Sequence, residues 1–229
     1  MVARPRVEQM VQERQERELA ARRRRIVLVV LVGALALAAV LVALSAVRAD
    51  QTERAARGAV VPVPPPASGV GLPPWPLPSD PEPGMKAAGL VSNPMEGAVQ
   101  HFHAHLDIVV DGSPVTVPAN LGIDPSRALI AELHTHDTSG ILHVESGSET
   151  LSFSLGQAFV EWGVRLDATH LGGLADDGTR HLSAYVDGLP VSGDPAAIRL
   201  ANHSEIALVY GSGEPSSVPA TYDFAAQGL

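Results

Sequence analysis

His101-Phe-His-Ala-His-Leu-Asp-Ile-Val-Val-Asp-Gly-Ser-Pro-Val115 decides how this chain folds. From His103 to Val110 the residues alternate, with Ala104, Leu106, Ile108 and Val110 on one side. Alternation with period two marks a β-strand with one face buried. Asp111-Gly112 then supplies the residue pair favoured in a two-residue hairpin turn, and Pro114–Val117 resumes beyond it. On such a strand His101, His103 and His105 all project to the same side.

Other segments read in the same way. Ala128–His136 and Ile141–Glu145 are predicted strands, separated by Asp137-Thr-Ser-Gly140. Ser154-Leu-Gly-Gln157 has the form of a capping box and opens a short helix through Trp162, closed by Gly163. Leu155, Phe159 and Trp162 have the spacing that packs a helix onto a sheet. His181–Val186 with Asp187-Gly188 is a second hairpin, and Glu205–Tyr210 a late strand. His105–Val115 matches His181–Val191 at 7 of 11 positions, which suits either an old duplication or two hairpins with a common turn. The predicted class is mainly β (α+β), an antiparallel sandwich or open barrel of about seven or eight strands with one short helix.

Upstream, residues 26–47 carry no charge, and at 1.5 Å per residue a helix of that length spans roughly 33 Å, enough to cross a bilayer. Arg22–Arg25 abuts its start, so the positive-inside rule predicts a single-pass transmembrane helix with a cytoplasmic amino terminus. A cleaved signal peptide is the rival, but the apolar run exceeds the usual length. Residues 1–25 form a charged cytoplasmic helical segment. Residues 48–89 form a proline-rich extracytoplasmic linker, with ten prolines between 58 and 84 favouring an extended spacer. Trp75 within it would lie at the membrane interface or dock on the domain. Residues 90–229 form the histidine-bearing domain.

Charge and composition narrow the chemistry. Residues 95–229 hold 4 Arg against 17 acids, an acidic balance that argues against nucleic acid as a partner. The chain has no cysteine, which excludes disulfides and thiolate metal sites.

Six of the nine histidines fall in three groups: His101, His103 and His105; His134 and His136; and His143. Clustered neutral imidazoles are good ligands for a divalent transition metal, and a sulfur-free set outside the cell points to Cu(II) or Zn(II). Alternate strand positions lie about 6.5–7 Å apart, too far for three in a row to share one ion. The expected ligands are therefore His103 and His105, with His101 looser. His134 and His136 complete the shell, and His143 joins it. Glu145 is expected to be a ligand or a carboxylate orienting an imidazole. Asp137 is placed near the site but more naturally anchors its own turn. His170, His181 and His203 are isolated and read as structural.

Three functions fit. The first is a membrane-tethered protein that captures or buffers a metal. The second is a metalloenzyme in which Glu145 or Glu132 moves protons. The third is a structural or interaction domain held by a histidine network, with a pH-sensing cluster as a further rival.

The ordered motifs His101-Phe-His-Ala-His105-Leu, Leu133-His-Thr-His-Asp-Thr-Ser-Gly140, His143-Val-Glu-Ser146 and Leu155-Gly-Gln-Ala-Phe159 with Trp162-Gly163 resemble those of a group of uncharacterised prokaryotic membrane-anchored or exported proteins. The resemblance covers roughly residues 95–211. It implies the domain boundary and importance for the histidines, and no activity.

Overall fold

The structure is a computed structural model; it describes residues 64–229 except 98, 149, 150, 214 and 216, together with the isolated positions 22, 24, 38 and 40. Apart from those four positions, the expected cytoplasmic segment, the expected transmembrane helix and the first part of the expected linker therefore lie outside the described residues.

The domain is mainly β. Its principal sheet is built on β2 (Gln100–Val110), which turns into β3 (Ser113–Val115). Asp111 and Gly112 have φ of 49° and 79°, the left-handed pair that matches the twist of a tight hairpin. The second hairpin, β11 (Arg180–Val186) with β12 (Leu189–Val191), repeats this with φ of 52° and 74° at Asp187 and Gly188. The registers agree residue for residue: Ile108 faces Val115 as Ala184 faces Val191.

The sheet order is β12-β11-β13-β2-β7-β6, with β3 also on β2; β7 is Ile141–Ser146, β6 is Leu133–His134 and β13 is Glu205–Ser212. Its outer members differ, so it does not close into a barrel among the described residues. The expectation of an antiparallel sheet fails at one place. β13 runs parallel to β2, setting Glu205 beside His105 and Tyr210 beside Val110. No local pattern encodes this pairing, because nearly a hundred residues separate the two strands.

The predicted strand Ala128–His136 is broken. Its first part, β5 (Leu129–Ala131), joins a small sheet with β1 (Ser92–Asn93) and β4 (Ile123–Asp124), while β6 joins the principal sheet. Glu132 is the hinge between them. Its backbone binds Val91 O at 3.0 Å, its Oε2 accepts from Val91 N at 3.2 Å, and its Oε1 accepts from Ser146 Oγ at 2.6 Å. A buried carboxylate satisfied in this way holds strands together. Three two-residue strands, β8 (Leu166–Asp167), β9 (His170–Leu171) and β10 (Leu174–Ala175), make a further small sheet.

Among the described residues from 64 onward there are two short α-helices. The first, α1 (Glu82–Ala87), lies within the stretch expected to be a spacer; α2 (Leu155–Trp162) is the predicted one. The Ser154 backbone N–H donates to Gln157 Oε1 at 3.0 Å at its start, and Gly163 closes it at φ 77°. Leu155, Phe159 and Trp162 are buried in one core with Leu106, Ile108, Val144, Ile206 and Leu208. Each such side chain contributes about 1.5–3 kcal/mol when fully buried.

That core also takes in Trp75, Met85, Ala88 and Leu90. Trp75 sits edge-on to Trp162 with ring centres 5.8 Å apart, and its carbonyl accepts from Trp162 Nε1 at 3.3 Å. The core thus reaches upstream of the boundary expected at residue 90. From Gly69 onward the proline-rich stretch is docked rather than a free spacer, with Gly69 O accepting from Arg165 N at 3.2 Å and Gly71 O from Gly173 N at 2.8 Å. Arg127 fastens it further, bonding Asp80, Glu82 and Asp124.

Candidate metal centre

The site is a row cut across three neighbouring strands. In the β2–β7 register His103 faces His143 and His101 faces Glu145; in the β6–β7 register His134 faces His143. Facing residues on adjacent strands bring their side chains together on one side of the sheet. His143 stands in the middle, its ring centre 4.6 Å from that of His103 and 5.4 Å from that of His134. His136 follows β6 in a loop rather than in the strand, yet its ring lies 4.5 Å from that of His143.

Donor atoms converge. His101 Nε2 is 3.1 Å from His103 Nε2 and 3.3 Å from Glu145 Oε1. His134 Nε2 is 3.3 Å from His136 Nε2, and His143 Nδ1 is 3.7 Å from Glu145 Oε1. Ligands at the usual 2.0–2.1 Å from a tetrahedral ion lie about 3.3 Å from one another. Two overlapping groups, His101-His103-His143-Glu145 and His134-His136-His143-Glu145, each place their donors within 4.8 Å. They share His143 and Glu145. A neutral imidazole has one lone pair, so His143 serves one ion at a time, and the groups are alternative shells around a single ion.

Two observations bear on whether these residues suit a metal. His134 Nδ1 lies 2.9 Å from Ala131 O. A carbonyl only accepts, so the proton is on Nδ1 and the Nε2 lone pair is aimed at the cluster, which is the arrangement of a metal-ligating histidine. His143 Nδ1 is buried and has no hydrogen-bond partner. An orphaned ring nitrogen among imidazoles is a costly arrangement that an ion would relieve.

Electrostatics keep the rings neutral. Burial, then the charges of His134 and His136, hold the His143 pKa down to about 3. Burial holds that of His134 down to about 4, and burial followed by His101 lowers that of His103. All three present lone pairs at neutral pH. Burial, followed by Glu96, raises the pKa of Glu145.

The structure brings together five of the six expected histidines, and His105 is the exception. Its Nδ1 is 2.8 Å from Glu205 Oε2 and its Nε2 is 2.7 Å from Ser139 O. The expected pairing of His103 with His105 is therefore replaced by His103 with His101. Asp137 bonds the Ser139 backbone N–H at 2.8 Å and anchors its turn. Glu132 is occupied by Val91 and Ser146, so it is not free to carry protons. Glu96, which sequence reasoning missed, has Oε1 3.6 Å from His136 Nε2. It lies in a segment without periodicity, and nothing local marks it. His101 and His136, with side chains 55% and 44% exposed, form the rim, and His103 and His134 lie beneath.

No protein-family model, no curated protein and no solved structure matches the chain.

Proposed function

We propose that this is a membrane-tethered, extracytoplasmic protein that captures or buffers a divalent transition metal, Cu(II) or Zn(II), through His101, His103, His134, His136, His143 and Glu145. The observation that carries it is the orphaned His143 Nδ1 at the centre of a row of imidazoles whose neighbour His134 is turned lone pair inward by a backbone carbonyl. Imidazole suits both ions, and the acidic domain raises the local concentration of cations. Capture is favoured over catalysis by donor count. A catalytic zinc keeps three protein ligands and an open position, whereas each of the two alternative groups here supplies four donors, enough to close a tetrahedral shell. The exposed rim formed by His101 and His136 gives an ion a route in and out.

The test is calorimetric titration of the full-length protein with Zn(II) and Cu(II). Submicromolar uptake at the cluster is expected, and its loss in the His103→Ala/His134→Ala variant. A double variant that binds both ions like the parent protein would sink the proposal.

A further inference from the structure

His105 stands apart from the cluster but is not without chemistry. The parallel pairing of β2 with β13 sets Glu205 beside it. Asp107, two residues along the same strand, shares its face. One donor atom from each of His105, Asp107 and Glu205 lies within 4.8 Å of the others. His105 Nδ1 is 2.8 Å from Glu205 Oε2 and 4.0 Å from Asp107 Oδ2.

Three features suggest more than a buried ion pair. His105 Nε2 must donate to Ser139 O, so Nδ1 is the nitrogen that meets Glu205 Oε2, and the proton joining those two atoms is the one an ion would displace. Glu205 is 1% exposed, yet its Oε1 has no hydrogen-bond partner. A carboxylate oxygen buried in this state lacks the partner that buried polar groups almost always have. Finally, Tyr222 stacks on the His105 ring at 3.8 Å and 14°, while the Asp107 side chain is 41% exposed. One side is thus shielded from water and the other open to an arriving ion.

We infer that His105, Asp107 and Glu205 form a second divalent-metal site, distinct from the histidine cluster and richer in oxygen. Its donor set, one imidazole and two carboxylates, carries two negative charges that a dication neutralises. Such a set suits Zn(II) or Mn(II), whereas an imidazole cluster holds Mn(II) least well of the first-row ions. Mn(II) is therefore the probe that separates the two sites. The inference does not depend on occupancy of the cluster.

The experiment follows Mn(II) uptake by full-length protein through loss of the free-ion electron paramagnetic resonance signal, alongside Zn(II) stoichiometry. The parent protein should take up one Mn(II) and two Zn(II). The His103→Ala/His134→Ala variant should keep the Mn(II) and lose one Zn(II). Glu205→Gln should lose the Mn(II) and one Zn(II) while keeping the cluster ion. Asp107→Asn, at a partly exposed position, should weaken Mn(II) binding at least tenfold, and it decides the matter if Glu205→Gln fails to fold. Unchanged Mn(II) binding in Asp107→Asn, or no uptake by the parent protein, would overturn the inference. If instead only the His103→Ala/His134→Ala variant behaves like the parent, the cluster proposal fails and the second site stands.

Discussion

The two hairpins share a backbone and part company in chemistry. Both turn on Asp-Gly with both residues at positive φ, and both hold the same register. Yet β2 extends five residues ahead of His105, back to Gln100, and that extension carries His101 and His103 against β7. In the second hairpin His181 is exposed and faces Gly211 across β13, with only Arg180 before it in the strand. The lesson is that turn residues determine how the chain reverses, while the strand ahead of the turn determines what the hairpin does.

The comparison can be broken most forcefully at the histidines. His103→Ala/His134→Ala should cut Zn(II) or Cu(II) affinity at the cluster by about a thousandfold or more, some 4 kcal/mol. His181→Ala should leave it unchanged, and calorimetric titration reads both. Equal losses would mean that the cluster has no special standing.

Acid should expose the same difference in the metal-free protein. His134, held at about 4 when folded, stays neutral while the unfolded chain takes up a proton near pH 6.5. Its contribution is thus complete above about pH 6.5 and is lost as pH falls toward 4. It amounts to about 3 kcal/mol by linkage, and His143 acts in the same direction over a slightly wider window. Denaturant melts at pH 7 and pH 4.5 should show the loss, and His134→Gln should reduce it. A stability flat across that range would contradict the neutral-ring picture.

The smaller effects lie in the turns. Gly112→Ala should cost about 1 kcal/mol for its left-handed backbone, since a Cβ there meets nothing within 4 Å. Gly188→Ala should cost more, because its Cβ would lie 2.7 Å from Ala220 Cβ. Thermal melts of the two variants sharpen the comparison, and equal shifts would show that the carboxyl-terminal segment yields freely. Smallest of all, Asp137→Ala should leave metal affinity within about threefold of the parent. It removes one turn hydrogen bond, worth about 1 kcal/mol.

What the sequence disclosed was local. The Asp-Gly turns, the Ser154–Gln157 helix start and the shared face of alternate histidines each depend on residues a few positions apart, and each is found where the pattern placed it. What it hid was distant. The Glu205 partner of His105 lies 100 residues away, and the parallel β2–β13 pairing that delivers it leaves no periodic trace. The break at Glu132 was hidden too, because no Gly or Pro interrupts Leu129 to His134 where the backbone changes sheets. Trp75 was ambiguous because a proline-rich context says nothing about the surface that will receive an aromatic ring.

The two-residue strand β6 sits at the margin of the principal sheet and is tied to it by only a short ladder. An ion held by His134, His136, His143 and Glu145 would rivet that margin to β7 behind it. Depletion of the ion would then do more than empty a store. It would loosen a border otherwise held by that ladder and by the backbone bonds of Asn120 and Leu121 to Thr135, so that scarcity of metal would lower the domain's own stability.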